Sequence, residues 1–273
     1  MSVRATGAAL LAPLRPALTW GERMLPGFLV IGTKRGGTSS LYDWICRHPQ
    51  VAPCRTRKGT HYFDVHHGRG YAWFRSGFVR PDPRWRLTGE ASPYYLFHPL
   101  APQRIAAELP EARLIVVLRD PVDRAWSHYQ CEVALGCEDL PFDAALAREE
   151  ERLAGEGERM RHQPGYESFE LRHHSYLGRG RYAEQLERLY SLFPPDQVLV
   201  LRSESLLADP DRQLLTVWDF LGLPQVQLHD LPRLKTGRYD EMPAATRRWL
   251  QDYFAPHNER LYDMPGVHFT WER

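Results

Sequence analysis

A chain of 273 residues, 43% hydrophobic and 25% charged, can bury a substantial core, and its length fits one α/β domain with insertions better than two ordinary domains. Lysine and arginine number 35 against 34 acidic residues, so no global field recruits nucleic acid or an acidic membrane surface, and any anion site must be local. The four cysteines, Cys46, Cys54, Cys131 and Cys137, form neither a zinc-ribbon spacing nor a dense disulfide framework; reduced thiols in a cytoplasmic protein are the expectation, with a Cys131–Cys137 pair as the alternative.

The apolar stretch of residues 7–20 is broken by Pro13, Arg15 and Pro16, too short and interrupted for a membrane span. Residues 1–27 read as a loose arm ahead of a single domain over 28–273, with a signal peptide as the alternative reading of the arm. Phe28 to Gly32 (FLVIG) is a buried-type strand that runs through a glycine cluster into a helical pattern over Ser39 to Ile45. Leu114 to Leu118 (LIVVL) predicts a second strand, and Pro121 opens a helix over Val122 to Tyr129. The charge-dense segment Ala144 to Gln163 predicts a solvated helix leading into a mobile loop with Gly155, Gly157 and Gly165. An amphipathic helix over Tyr182 to Leu192, a strand over Gln197 to Leu201 and a helix over Asp211 to Leu221 complete the pattern. Apolar strands alternating with helices imply a three-layer α/β/α, P-loop-like fold around a mainly parallel sheet.

The loop after the first strand reads Gly32-Thr33-Lys34-Arg35-Gly36-Gly37-Thr38-Ser39-Ser40. Glycines, two cations and hydroxyls meeting at a helix N-terminus make a phosphate cradle. The Walker A pattern, GxxxxGK followed by Ser or Thr, is not met, because Thr38 follows Gly37 directly and the lysine is missing.

With Lys34 and Arg35 inside the loop, the segment resembles the PAPS-dependent sulfotransferases, in particular the carbohydrate and heparan-sulfate type and its bacterial relatives, whose loop has the form G-x-x-K-x-G-T-S/T. Arg35 falls on the family's lysine, and Lys34 precedes it. Leu118-Arg119-Asp120-Pro121-Val122-Asp123-Arg124-Ala125-Trp126-Ser127 resembles the family's 3′-phosphate segment, in which Arg119 and Ser127 would hold the phosphate. The stretch Gly178 to Tyr182 with Gln185-Leu186, the Phe220-Leu221-Gly222-Leu223 run and the basic loop Lys235-Thr236-Gly237-Arg238 extend the resemblance from about residue 28 to the C-terminus.

The resemblance implies PAPS (3′-phosphoadenosine 5′-phosphosulfate) as donor, PAP as product and no metal. The donor would be held by Lys34, Arg35, Gly36, Gly37, Thr38, Ser39, Ser40, Arg119, Ser127, Tyr182, Lys235, Thr236, Gly237 and Arg238. Heparan-type relatives carry K-E-x-H-F-F with glutamate as base; this chain reads Lys58-Gly59-Thr60-His61-Tyr62-Phe63, so the glutamate is absent. His61, whose ordinary pKa suits proton transfer near neutrality, is the preferred base. Glu90, in Gly89-Glu90-Ala91-Ser92-Pro93-Tyr94, is its rival or its orienter, or else caps the turn before Ser92, while Ala91 stands where many heparan-type enzymes have lysine. Lys58, with Arg35 or Lys34, would neutralise charge on the leaving group. The expected reaction is O-sulfation of a small-molecule or glycan acceptor: a carbohydrate, glycolipid or secondary metabolite. The alternatives are a P-loop nucleotide kinase and an inactive nucleotide-binding domain. A homodimer is left open.

Overall fold

Short runs of apolar residues, too short for helices and rich in β-branched side chains, supply the sheet of the computed structural model, which describes residues 23–234 and 240–271. The strands are β1 (Phe28–Gly32), β2 (Val51–Ala52), β3 (Leu87–Ala91), β4 (Arg113–Leu118) and β5 (Val198–Arg202). They pair in the order β2-β3-β1-β4-β5, and every pairing is parallel. β1, β3 and β4 are buried along their whole length, as expected of strands covered on both faces. The chain leaves β1 for β2 and β3 on one side and then crosses to β4 and β5 on the other. The C-terminal ends of β1, β3 and β4 therefore meet at a topological switch point, where an open α/β sheet forms its ligand crevice.

The helices among the described residues are α1 (Thr38–Cys46), α2 (Tyr71–Ser76), α3 (Ala101–Glu108), α4 (Pro121–Ala134), α5 (Phe142–Leu153), α6 (Glu156–His162), α7 (Phe169–His173), α8 (Tyr182–Tyr190), α9 (Ser203–Ala208), α10 (Pro210–Leu221) and α11 (Ala244–Tyr262). The predicted strands and helices appear within a few residues of their expected bounds. β2, β3, α3 and α11 carry no comparably clear pattern in the sequence.

Two corrections follow. Residues 144–163 are not a solvated helix and mobile loop. They form α5 and α6, with Gly157 inside α6 and with Ala145, Leu146, Glu149 and Met160 buried. Phe142, Ala145 and Leu146 join Val122, Tyr176, Leu250 and Phe254 in a second apolar cluster beside the main core. Of the N-terminal arm, residues 1–22 lie outside the described residues, but residues 23–27 are not loose: Met24 N donates to Val79 O and Gly27 N to Thr88 O, each at 2.9 Å. The expected donor loop at Lys235, Thr236, Gly237 and Arg238 also lies outside the described residues.

Glu149 shows why the charged segment is structural. Its carboxylate accepts from Leu177 N at 2.6 Å and Gly178 N at 2.7 Å, pinning the turn that leads to Arg179. Burial pushes its pKa up, against these bonds and the charge of Arg124. Glu149→Ala leaves both amides without that acceptor and is expected to lower the unfolding free energy by about 1–3 kcal/mol. Urea denaturation checks this, and Glu149→Gln, which keeps an acceptor oxygen, is expected to lose less.

Candidate active site

The loop after β1 turns within five residues. Thr33 N donates to Val117 O and Gly36 N to Thr33 O, both at 2.9 Å. A Cβ on Gly36 would stand 2.5 Å from Val117 O, so only glycine lets the loop pack against β4. Gly37 then caps α1 with no side chain, and the first turn of α1 holds no acidic residue. The dipole end of a nine-residue helix is thus presented to the crevice. Arg35 sits at φ 73°, and Arg57 and His61 adopt left-handed φ of 69° and 53°. Each costs about 1–2 kcal/mol for an L-residue, and strain of this kind gathers at sites where side-chain direction matters.

Cations converge on a cleft of about 610 Å³ whose walls include Lys34, Arg35, Gly37, Thr38, Ser39, Ser40, Lys58, His61, Arg119, Arg172 and Arg179. Arg35 Nε donates to Ser127 Oγ at 2.9 Å, and Arg119 donates to Arg35 O at 3.4 Å. Lys58 Nζ lies 3.2 Å from Thr38 Oγ1. Lys34 Nζ bonds the buried carboxylate of Glu132. Burial and the neighbouring Arg179 charge lower the Lys34 pKa to about 8, against the pull of Glu132. Burial alone would raise Glu132, but His128, His173 and Lys34 overcome it and hold that carboxyl well below its ordinary range.

Not every residue expected at the donor faces the cleft. Gly36, Ser127 and Tyr182 are absent from its walls, and so is Glu90, the rival base. Ser127 is covered by the Arg35 guanidinium, and Tyr182 Oη donates to Arg119 O at 2.8 Å from behind. Arg124 is fully buried and donates to Tyr176 O. Asp120 caps α4 by accepting from Val122 N at 2.8 Å and Asp123 N at 3.2 Å.

On the acceptor side His61 lines the cleft, with its Nδ1 2.9 Å from the buried Asp64 Oδ2. Asp64 Oδ1 in turn accepts from Val65 N at 2.6 Å. Glu90 lies beneath this segment and is fully buried. It accepts from Thr60 N and, at 2.6 Å, from Tyr95 Oη; it does not cap the turn before Ser92. Desolvation raises its pKa, against the bonds from Thr60 and Tyr95. A Cβ on Gly59 would stand 2.4 Å from Ser92 Oγ and 2.5 Å from Ala91 O, so the place of the relatives' glutamate is filled by the end of β3.

Sequence reasoning missed Glu132, Asp64, Arg172, His173 and Arg179 as parts of this site. Arg179 is buried, stacks 4.5 Å over the Tyr94 ring and donates to Leu171 O at 2.8 Å and Arg172 O at 2.9 Å. It thereby fixes the end of α7, which carries Arg172 and His173 to the cleft. Glu132 and His173 are 41 residues apart, so no local spacing signals their contact, whereas Asp64 stands three residues after His61, a spacing that could have found it. Glu132, Cys137 and His173 also bring three ligand-type atoms within 4.8 Å of one another; Lys34 and His173 already engage that carboxylate.

Comparison with known proteins is consistent across sequence and fold. Residues 25–242 match the sulfotransferase domain family. The chain is 32% identical to heparan sulfate glucosamine 3-O-sulfotransferase 6 of Homo sapiens, over 92% of this chain and 75% of that protein. It is 29% identical to heparan sulfate glucosamine 3-O-sulfotransferase 3B1 of Mus musculus, over 92% of this chain and 66% of that protein. A crystal structure of a sulfotransferase from Alicyclobacillus acidocaldarius superposes with a TM-score of 0.71 at 29% identity, covering 87% of this chain and 94% of that one. A loop cradle lacking the Walker lysine, cations converging at the sheet's switch point and a match over most of the chain have one explanation: this protein belongs to the sulfotransferase domain family and is a sulfotransferase.

Proposed function

We propose that the protein transfers the sulfuryl group of PAPS to a hydroxyl of a carbohydrate-containing acceptor, with His61 as the base. The observation that carries this reading is the pairing of His61 with a buried Asp64 at 2.9 Å on the wall of the cationic cleft.

The residues present fit the donor. Gly36 allows close backbone approach, α1 offers an uncapped N-terminus with no acid in its first turn, and Lys34, Arg35, Lys58 and Arg119 face one cleft. Arg35, Lys58 and the first turn of α1 would hold the 5′-phosphosulfate, and Arg119, with Ser127 once Arg35 turns from it, the 3′-phosphate. When bound, PAPS supplies the sulfuryl group that moves in line to the acceptor oxygen.

Asp64 accepts the Nδ1 hydrogen of His61 and fixes the tautomer, leaving Nε2 to take the acceptor's hydroxyl proton. Arg35 and Lys58 stay charged through the reaction and stabilise the negative charge that develops on the departing phosphate. Glu90 acts from below by fixing the backbone of Thr60, the residue before His61. The carbohydrate acceptor rests on the two heparan-type relatives. The kinase alternative lacks its lysine, since Thr38 directly follows Gly37, and Asp120 after β4 is engaged as a helix cap.

Two measurements follow. By calorimetry, PAP is expected to bind without magnesium and more tightly than ATP with magnesium. Arg119→Ala should weaken it by about 1.5–3 kcal/mol, the range for a charged hydrogen-bonding partner. Because Lys34 is a cation only below its pKa of about 8, PAP affinity should fall as the pH rises past that value, and Lys34→Met should flatten the fall. Restoring the relatives' carboxylate by Gly59→Glu should lower stability by about 1–3 kcal/mol through the clash with Ser92 and Ala91; thermal unfolding reads this, and a variant as stable as wild type would show that β3 can move aside.

A further inference from the structure

The cleft wall formed by α4 changes chemistry along its length. Ser127, Cys131 and Leu135 recur every fourth residue and so share one face of the helix. Leu135, the C-terminal cap, keeps a helical backbone conformation, and eight residues carry the stripe about 12 Å outward from Ser127. The face passes from a hydroxyl against Arg35, through the cleft-lining thiol of Cys131, to Leu135 at the mouth. Leu135 is 64% exposed.

A second exposed apolar side chain touches a residue of the same cleft. Phe169, 51% exposed, stacks on the His173 ring with centroids 4.4 Å apart and planes inclined by 28°. His173 lines the cleft, and its Nδ1 is 2.7 Å from Glu132 Oε2, one residue along α4 from Cys131. Leu135 and His173 both line the cleft and Phe169 stacks on His173, so the three supply an apolar ledge along its wall. A single exposed leucine is ordinary. Two large apolar residues flanking a cleft-lining imidazole, held there by the buried Glu132 and Arg179, are a built surface. The polar wall behind them, Lys34, Lys58 and Arg172, suits an oxygen-rich or anionic head group.

We infer that the acceptor is an amphiphile: its hydroxyl-bearing head enters the cleft toward His61 while an apolar aglycone or acyl portion lies across Leu135 and Phe169. The inference rests on the proposed sulfuryl transfer and narrows its acceptor class, away from a free, uniformly polar glycan. The ledge is continuous with the cleft, so one molecule spans both.

The test uses PAP-loaded protein and two probes of the same sugar, octyl β-glucoside below its micelle concentration and methyl β-glucoside, titrated by tryptophan fluorescence and calorimetry. The octyl compound is expected to bind at least tenfold more tightly, about 1.4 kcal/mol. Leu135→Ser with Phe169→Ser is expected to abolish that advantage while PAP affinity stays at the wild-type value, which also reports that the variant is folded. Equal affinities, no binding of the octyl compound, or an advantage that survives the two substitutions would overturn the inference. Failure of the wild-type protein to bind PAP is a separate result, counting against the sulfotransferase mechanism rather than the ledge, which the same two probes report without PAP.

Discussion

Gathering lysine and arginine side chains at one end of a parallel sheet desolvates like charges next to one another, and in this protein the buried carboxylate of Glu132 makes the arrangement stable. It bonds Lys34 and lies 2.7 Å from His173 Nδ1, so one acid ties the loop after β1, helix α4 and helix α7 together. An uncompensated buried acid would be costly, as would Lys34 beside Arg179 without it. The cleft's positive potential is therefore local, as the chain's excess of a single positive charge requires. A second buried acid, Glu149, acts at the far end of the same wall by holding the turn before Arg179.

The strand, glycine loop and helix that frame the cationic cleft were legible in the sequence because they depend on short-range geometry. Phe28 to Gly32 is a strand, the glycine loop follows, and Arg119 emerges at the end of the next predicted strand. Local patterns failed where long-range contact decides. The 144–163 segment looks solvated because its exposed faces carry the charge, while Glu149 and Met160 on the other faces are buried. β3 was hidden because Gly89 and Glu90 disfavour strands locally; pairing with β1 overrides that preference. Glu90, by its motif a candidate base, turned out to lie beneath the site, a distinction between wall and support that no spacing encodes.

Gly59 and Ala91 stand where the heparan-type resemblance implies a glutamate and a lysine, and the structure gives a physical reason for the first. Gly59 abuts Ser92 and Ala91 so closely that no side chain fits without movement. In the proposed function the base therefore comes from elsewhere on the wall. His61, held in a left-handed backbone conformation and oriented by Asp64, meets the geometric demand. Glu90 and Tyr95 support the same turn from below.

Chemical rescue tests that assignment most directly. With a sulfated acceptor product as readout, His61→Ala is expected to lose about 10²–10⁴-fold in turnover with unchanged PAP affinity, and added imidazole should restore the rate in proportion to its concentration. A His61→Ala enzyme that keeps its rate, or one that imidazole cannot rescue while Glu90→Gln alone abolishes transfer, would contradict the account and move the proton to Glu90.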